Sequence, residues 1–163
     1  MILRYIDGPE VRFRVKDKIF VDMEFYHTGE KFEDMELRRM FPVSGKYKYI
    51  AVLDSEGNEQ AMIRDVDNLD AQSRDAVKSC LEEYYMMPRI TRFIEMSEKF
   101  KIWMWTAETD KGIVKFEIRN HLTAVKPLFD NRVLIKDAND NRYEIPNLLE
   151  LDKKSQKMII PNL

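Results

Sequence analysis

The chain has one cysteine, few glycines and no long apolar run, and each shortage excludes a class of protein. A single cysteine, Cys80, rules out an internal disulfide and a thiolate metal cluster. Five glycines among 163 residues leave little room for a phosphate-binding loop, and no such motif occurs. No apolar segment is long enough to cross a bilayer, and the start, MILRYIDGPE, lacks the apolar core of a signal peptide. We therefore expect a cytoplasmic protein without direct membrane insertion.

The chain also lacks a large excess of charge of either sign. Lys and Arg number 27 and Asp and Glu 29, which gives a formal net charge of −2 and a pI near 5.8. Without a basic field to attract phosphates we expect no nucleic acid partner, and acidic membrane surfaces are disfavoured as well. Hydrophobic residues make up 44% of the chain, which is enough for one cored domain over residues 1–163.

Alternation of apolar and polar residues predicts strands along much of the chain. Every second residue of KIFVDMEF is apolar from Ile19 onward, which is the period of a half-buried strand. The segment FKIWMW repeats the pattern, with Phe100, Ile102 and Met104 predicted to face inward. A glycine turn separates this strand from GIVKFEI, so residues 99–119 are predicted to form an antiparallel hairpin.

Two helices are predicted among these strands. The first begins at Asp70, whose carboxylate caps exposed amide groups, and ends at Met87-Pro88. Its buried face follows the i, i+3, i+4, i+7 spacing and consists of Val77, Cys80, Leu81 and Tyr84. The second begins at Asp152 and ends before Pro161. The predicted fold class is therefore α+β, mainly antiparallel β.

The two helix starts belong to a wider internal similarity. LDAQS at residues 69–73 matches LDKKS at residues 151–155, an offset of 82. Upstream, the segment from Lys18 aligns with the segment from Lys99 at an offset of 81, and the shared pairs are Lys18/Lys99, Met23/Met104, Thr28/Thr109, Glu36/Glu117 and Arg38/Arg119. Strand-turn-strand-helix patterns resemble one another in any case, but a fixed offset is the trace of a repeated unit. We predict two pseudo-repeated units, roughly residues 1–87 and 88–163, each closed by one helix.

The segment LIKDANDNRYEIP raises the question of a calcium loop. In the repeat alignment its DAND lies over the DSEG that begins at Asp54, and Asp or Gly at those positions is typical of a turn. A twelve-residue calcium loop starting at Asp137 needs glycine at its sixth position and glutamate at its twelfth, where this chain has Arg142 and Leu148. The sequence therefore predicts a turn.

Four ordered motifs also carry a resemblance to a known family. They are RRMFPVSGKYKYIAVLDSEGNE, YYMMPRIT, WTAETDKGIVKFEIRN and RVLIKDANDNRYEIPNLLELDKKS, and together they span roughly residues 38–160. This run resembles the family called domain of unknown function 1854. The resemblance implies an accessory or ligand-binding role, since members occur alone, beside cyanophycin-metabolism genes or at the C-terminus of ATP-binding cassette transporters. The chain departs from the pattern at Asn120, where an acidic residue is expected, and its first 35 or so residues have no counterpart in it.

No pattern in the sequence predicts a catalytic residue. Cys80 lies on the apolar stripe of the first helix, where a thiolate is disfavoured. His27 and His121 have no second ligand at a metal-binding spacing, and no serine sits in a Gly-x-Ser-x-Gly elbow. Glu82 and Glu83 belong to the solvated side of the first helix. We therefore predict no catalytic residue, no metal and no cofactor.

Arginines form the pattern best suited to ligand binding. In MELRR and FEIRN, strand alternation puts Glu36 with Arg38, and Glu117 with Arg119, on an exposed face. Two exposed ion pairs contribute little to stability. The alternative is a patch that holds carboxylates, because a guanidinium binds a carboxylate through two hydrogen bonds. The arginines predicted for this patch are Arg38, Arg119, Arg89, Arg92 and Arg142.

Trp103 and Trp105 complete the predicted ligand-binding residues. They alternate with Ile102 and Met104, so their strand is apolar on both faces. Such a strand is either buried on both sides or part of a partner surface, and burial between the two halves is the preferred interpretation.

Two functions stay open at this point. The first is a non-enzymatic accessory domain that binds a protein partner or an acidic small molecule. The alternative is a hydrolase-like enzyme whose carboxylates assemble from distant segments. A pocket with close carboxylates and a histidine would favour the enzyme, and a shallow arginine or tryptophan surface would favour binding.

Overall fold

A computed structural model describes residues 4–163 of the chain. The contacts divide the chain into two compact units, which we call unit 1 (Met1–Met86) and unit 2 (Met87–Leu163). Both consist mainly of antiparallel strands with few helices, so the predicted α+β class is confirmed. Among the described residues no helix is both long enough and apolar enough to cross a membrane.

Unit 1 contains one six-stranded sheet in the order β1-β6-β5-β4-β3-β2. The strands are β1 Arg4–Ile6, β2 Val11–Asp17, β3 Phe20–Phe25, β4 Lys31–Phe41, β5 Gly45–Leu53 and β6 Glu59–Asp65. All neighbours are antiparallel except β1, which runs parallel to β6. The consecutive order from β2 to β6 is that of a meander built from hairpins, in which each strand pairs with the next along the chain.

Helix α1 covers the inner face of this sheet. It spans Ala71–Met86 after a short 3-10 turn at Val66–Asn68. Val77, Cys80 and Leu81 are buried in the core of unit 1 as the helical spacing predicts, whereas Tyr84 is half-buried and lies on the guanidinium of Arg38. Each fully buried aliphatic side chain on such a stripe contributes roughly 1.5–3 kcal/mol to the fold.

Unit 2 contains two three-stranded antiparallel sheets. The first is β7-β8-β9 and the second β10-β11-β12. The strands are β7 Ile90–Lys99, β8 Ile102–Thr109, β9 Gly112–Ile118, β10 Val125–Pro127, β11 Val133–Lys136 and β12 Arg142–Ile145. The helices are α2 His121–Ala124 and α3 Lys153–Ile159, with 3-10 turns at Leu148–Glu150 and Ile160–Asn162. The predicted hairpin is confirmed, since Thr109 pairs with Gly112 across its turn.

The buried face of β8 differs from the prediction. Phe100 lies with Lys101 in the two-residue turn before β8, where both have positive φ (56° and 63°), and Phe100 is 85% exposed. Trp105 is fully buried, and Ile102 and Met104 are only half-buried. The inward face predicted for Phe100, Ile102 and Met104 was therefore wrong, because tryptophan buries far more apolar surface than methionine and takes the core side.

A hydrogen-bonded group at the start of α1 ties the helix to an edge strand, and we call it the Asp-Ser clamp. The Asp70 carboxylate accepts hydrogen bonds from the amide (2.8 Å) and the hydroxyl (3.0 Å) of Ser73. Ser73 Oγ in turn accepts the amide of Phe13 on β2 at 3.0 Å. Since β2 is the last strand of its sheet, this buried amide depends on the helix for a partner.

The same clamp occurs at the start of α3. Asp152 accepts the amide of Ser155 at 3.1 Å and its hydroxyl at 2.5 Å, and Ser155 Oγ accepts the amide of Phe93 at 2.8 Å. Phe93 lies on β7, which is also an edge strand. Both helices therefore begin at the aspartates predicted from the sequence.

The two predicted Asp-led turns are also present. Asp54 Oδ1 accepts the amides two and four residues later at 2.9 Å, and Asp137 Oδ1 does the same at 2.8 and 2.9 Å. Gly57 and Asp140 occupy equivalent positions with φ of 85° and 66°. Asp and Gly tolerate this left-handed conformation better than other residues, which explains their place in the two turns.

Candidate functional site

A shallow cleft in unit 2 contains one of the predicted arginines, and we call it the Arg119 cleft. It has a volume of about 220 Å³ and is lined by Arg119, Asn120, Thr123, Ala124, Lys136, Asp137 and Ala138. These residues come from the end of β9, from α2, and from the end of β11 with the turn that follows it. The cleft is therefore bounded by three separate pieces of backbone.

Asn120 and His121 fix the α2 wall of the cleft. The side chain of Asn120 accepts the amide of Leu122 at 3.0 Å and so caps the single helical turn. The ring of His121 lies edge-on to those of Trp103 and Trp105, with centroids 4.7 and 5.9 Å away. Nε1 of Trp105 and Nε2 of His121 are buried and have no hydrogen-bond partner among residues 4–163.

The Asp137 turn forms the opposite wall. Besides its two backbone hydrogen bonds, the carboxylate accepts the Tyr143 hydroxyl at 3.0 Å and the Asn141 side-chain amide at 3.1 Å. Burial and then the hydrogen bond to Asp137 raise the pKa of Tyr143 well above its usual range. The amide of Ala138 donates to the carbonyl of Glu117 at 2.8 Å and ties the turn to β9. Asp137 thus serves the scaffold, and its oxygens are already occupied.

Two cations provide the charge of the Arg119 cleft. The Arg119 side chain is 69% exposed and its Nε lies 2.8 Å from Glu117 Oε2. The Lys136 side chain is 48% exposed and its Nζ lies 3.4 Å from Asp140 Oδ1. Both partner carboxylates are reachable by solvent, so the two ion pairs are weak and exchangeable.

A second cleft lies on the sheet of unit 1 and has balanced charges. It measures about 300 Å³ and is lined by Arg12, Arg14, Asp22, Met23, Glu24, Lys31, Phe32 and Glu33. Its three basic side chains face three carboxylates, and β2 and β3 set Arg12 opposite Glu24 and Arg14 opposite Asp22. The charges of this lining therefore balance, whereas the lining of the Arg119 cleft has two cations and the single carboxylate of Asp137.

Arg38, the predicted counterpart of Arg119, lies in unit 1. Its Nη2 is 3.0 Å from Glu36 Oε1, and its guanidinium carbon is 3.7 Å from the centre of the Tyr84 ring. Glu36 is only 2% exposed, so the prediction of a duplicated exposed pair was wrong for unit 1. Arg38 lies across the carboxylate and Tyr84 stacks on Arg38, which removes Glu36 from solvent.

The other three predicted arginines each pair with a different carboxylate of unit 2. Arg92 contacts Glu108 on the exposed surface at 2.7 Å. Arg89 lies 3.5 Å from Glu144, and Arg142 pairs with Asp140 in the turn. None of the three lines the Arg119 cleft.

The two tryptophans predicted to bind a ligand belong to the core of unit 2. Trp105 is fully buried between Phe93 and Phe116, whose ring centroids both lie 6.1 Å from it. Trp103 is half-buried and packs against the same core. Trp105 therefore presents no surface to a ligand, and neither ring is among the residues that line the Arg119 cleft.

No pattern in the sequence predicted the buried charges of unit 2. Arg132 and Glu144 are 7% and 3% exposed, and Nε and Nη2 of the arginine lie 3.1 and 2.7 Å from the same carboxylate oxygen. Arg89 is the second basic neighbour of Glu144. Each residue alone looks like a surface residue of a strand or loop, and only the pairing across β11 and β12 brings them together.

The described residues contain no arrangement typical of metal or thiol chemistry. No group of three or more His, Cys, Asp or Glu side chains is placed to hold a metal ion within residues 4–163. Cys80 is 1% exposed, and burial, followed by the charge of Glu83, raises the pKa of its thiol to about 12. At neutral pH this thiol is protonated and inaccessible.

Comparisons with known proteins place the chain in a family. Neither the curated proteins nor the solved structures include a match to it. A family model does match, over residues 32–161, from β4 to the end of the chain's last helices. The matched stretch includes the whole Arg119 cleft and excludes β1, β2 and β3, in agreement with the extent of the resemblance seen in the sequence. The chain belongs to the family described as domain of unknown function (DUF1854).

Proposed function

We propose that this domain is a non-enzymatic binding module that holds an acidic small molecule at the Arg119 cleft. The observation that carries the proposal is the meeting of Arg119 and Lys136 on one cleft, inside the stretch that the family model matches. The two cations come from different parts of the chain and offer charge to a carboxylate, and the side chains of Asn120 and Thr123, which also line the cleft, offer hydrogen bonds.

The existing ion pairs of the cleft do not prevent ligand binding. An exposed pair contributes only about 0–1 kcal/mol, so a ligand carboxylate replaces Glu117 or Asp140 at little cost. The Arg119 fork receives the carboxylate through two parallel hydrogen bonds, and Lys136 adds a point charge. A ligand with two acidic groups gains most, because it uses both cations at once.

The size of the cleft narrows the ligand class. Its volume of about 220 Å³ lies below the roughly 300–1,000 Å³ of typical pockets for drug-sized molecules. An amino acid, a dicarboxylate or a short dipeptide is therefore a better fit than a nucleotide.

The hydrolase alternative receives less support from this geometry. The carboxylate that lines the cleft, that of Asp137, accepts hydrogen bonds from four donors and has no free oxygen to take a proton. Neither His27 nor His121 is among the lining residues. A general base within reach of a substrate is the minimum that hydrolysis needs.

A thermal-shift panel of amino acids, dicarboxylates, Asp-Arg dipeptide and nucleotides tests the proposal. Free ligand at about a hundred times its dissociation constant stabilises a fold by roughly 2.7 kcal/mol. For a chain of this size that corresponds to a rise of roughly 5 to 10 °C in melting temperature. Chromatography of each ligand after incubation tests the hydrolase alternative in the same samples.

Three arginine-to-lysine variants locate the site. Arg119→Lys keeps the charge but loses the fork, so the thermal shift should shrink. Arg92→Lys is the matched control, because Arg92 is exposed, paired and in the same unit but does not line the cleft. Arg38→Lys tests the two-arginine patch suggested by the sequence. If no compound moves the transition, or Arg119→Lys responds like the parent, the small-molecule proposal fails and a protein partner becomes the better hypothesis.

The internal similarity fits a duplication, which we include in the proposal. The Asp-Ser clamp and the Asp-led turn recur in both units at matching places along the chain, and each unit ends in a helix. In unit 2, α2 and β10 lie between β9 and β11, and α2 forms one side of the Arg119 cleft. An experimental structure in which residues 18–85 and 99–160 have unrelated topologies would end the duplication hypothesis.

A further inference from the structure

The end of the β4–β5 hairpin in unit 1 exposes an unusual amount of apolar surface. β4 makes its last pair with β3 at Glu36, yet continues five residues to Phe41, roughly 16 Å at the rise of an extended strand. β5 likewise pairs with β6 only from Lys48 onward. Residues 37–47 therefore extend past the neighbouring strands. We call residues 40–49 the hairpin tip, of which Lys48 and Tyr49 already lie beside β6.

The apolar side chains of the hairpin tip point into solvent. Val43 is 94% exposed, and Phe41, Met40 and Tyr49 are 51%, 48% and 45% exposed. The rings of Phe41 and Tyr49 contact each other edge-on, with centroids 5.9 Å apart. Isolated exposed apolar residues are ordinary, but four within ten residues at the end of a projecting element indicate a contact surface.

The charged residues within this segment of the chain have one sign. No Asp or Glu occurs between residues 38 and 53, where the chain has two arginines and two lysines. Arg38 and Arg39 are held at the base of the hairpin by Glu36 and Glu82. Lys46 and Lys48 are exposed, and neither forms an ion pair among the residues that the structure describes. The hairpin tip therefore combines an exposed apolar end with two exposed cations. Their charges reach Glu82, in the case of Lys46, and Asp67, in the case of Lys48.

We propose that the hairpin tip is a peripheral contact for an anionic lipid surface. Its apolar side chains would enter the boundary between headgroups and acyl chains, while Lys46 and Lys48 face the lipid phosphates. Tyr49, which is 45% exposed, suits this place because tyrosine is enriched at membrane interfaces, where one end of its ring is polar. Tyr47 instead packs against the core of unit 1 and donates its hydroxyl to Glu82.

A lipid surface fits the hairpin tip better than a protein partner. A stable protein interface buries at least about 1,200 Å² in total and needs a complementary shape. Four side chains at the end of a two-stranded element provide only part of that area. A bilayer is fluid and needs no complementary shape, so a small group of apolar side chains can enter it whatever their arrangement.

The contact is peripheral, and the net charge of the chain does not oppose it. An overall charge of −2 disfavours acidic membrane surfaces when the chain is taken as a whole. Screening limits such repulsion to about 8–10 Å at physiological salt, so the charges nearest the surface decide the interaction. Those at the hairpin tip are positive.

Sedimentation of the full chain with vesicles tests the proposal. We expect binding to vesicles of phosphatidylcholine mixed with phosphatidylglycerol, little binding to phosphatidylcholine alone, and release by salt. Phe41→Ser with Val43→Ser should abolish binding. Lys46→Gln with Lys48→Gln should weaken the partition coefficient roughly thirtyfold, since each lysine near an anionic surface contributes about a fivefold factor.

Matched variants separate the hairpin tip from general stickiness. Lys153→Gln with Lys154→Gln removes the same charge from the exposed side of α3, and Leu122→Ser removes an apolar side chain that is 93% exposed. Neither should alter binding. Equal loss in the control variants, or full binding by either hairpin variant, would overturn the proposal. Failure of the parent to bind anionic vesicles would overturn it too and leave the tip as a protein contact.

A fluorescent label reports the depth of insertion. Val43→Cys creates an exposed thiol, while Cys80 stays unlabelled because it is buried and its pKa is raised to about 12. An environment-sensitive dye at position 43 should shift its emission to the blue with anionic vesicles. An unchanged spectrum in a sample that sediments with the vesicles would show that the apolar end does not enter the lipid.

Discussion

The Asp-Ser clamp offers the most direct test of how the helices are attached to their sheets. Ser73 and Ser155 are both fully buried, and each accepts the amide of a buried residue on an edge strand. Ser73→Ala or Ser155→Ala removes that acceptor and leaves an amide of Phe13 or Phe93 without a partner. The substitution is conservative, because the backbone amide of residue 73 or 155 still donates its hydrogen bond to Asp70 or Asp152.

The expected cost follows from two opposing contributions. A buried donor left without a hydrogen bond costs about 1–3 kcal/mol. Alanine has a higher helix propensity than serine, and this difference offsets the cost by about 0.5 kcal/mol. We therefore expect Ser73→Ala and Ser155→Ala each to lower the free energy of unfolding by about 0.5–2.5 kcal/mol.

Urea denaturation measures this cost, and Ser79→Ala is the matched control. Ser79 lies in α1 on the exposed side, so its replacement should stabilise the chain by a few tenths of a kcal/mol. Native-state hydrogen exchange adds a local reading, because the amides of Phe13 and Phe93 should lose protection in the corresponding variants. A cost below about 0.5 kcal/mol in both serine variants, or unchanged protection of both amides, would refute the reasoning.

Three further predictions concern other parts of the chain. Glu144→Ala should lower the free energy of unfolding, measured in urea, by roughly 3–5 kcal/mol, because it leaves the buried Arg132 without the carboxylate of Glu144. Glu108→Ala on the exposed surface should lower it by less than about 1 kcal/mol. Similar losses in the two variants would show that burial does not govern the strength of these pairs. The clamp hydrogen bonds lower the pKa of Asp152 below its ordinary 3.8, so the stabilisation of the fold by this carboxylate is complete above that value and is lost as the pH falls through the folded-state pKa. Urea midpoints measured across roughly pH 2–6 should therefore fall less steeply with decreasing pH in Asp152→Asn than in the parent. An equal slope in the two proteins would contradict this linkage. Millimolar calcium should leave the melting temperature unchanged because the oxygens of Asp137 are taken by internal donors, and a rise of several degrees would mean that the turn binds the ion.

Features encoded within a few residues were predictable from the sequence. Both helices begin at the aspartates chosen for their caps, and both Asp-led turns have the predicted positive φ at their fourth position. The β8–β9 hairpin and the family membership follow from short patterns as well. The caps and turns depend on interactions between residues within about four positions, and the hairpin pairs two strands that are consecutive along the chain, so the local sequence contains most of the cause.

Which face of a strand is buried was decided by the tertiary structure. Strand alternation shows that two faces differ, but on β8 both carried apolar residues, and the packing of Trp105 between Phe93 and Phe116 decided which one entered the core. Glu36 became buried because Arg38 and Tyr84 cover it. Both outcomes depend on partners elsewhere in the chain, which no local pattern contains.

Some residues of the two candidate sites were likewise predictable from the sequence, and others were found only from the tertiary structure. The sequence singled out Arg119 through its Glu-x-Arg strand, but Lys136 came from another strand and was found only when β9, α2 and the Asp137 turn met around one cleft. The sequence also carried the acid-free stretch with its four basic residues. Only the pairing of β4 and β5 beyond their neighbours showed that Val43 and Phe41 end in solvent. A charge or cap is a property of the residue and its neighbours, whereas exposure is decided by every segment that packs, or does not pack, against it.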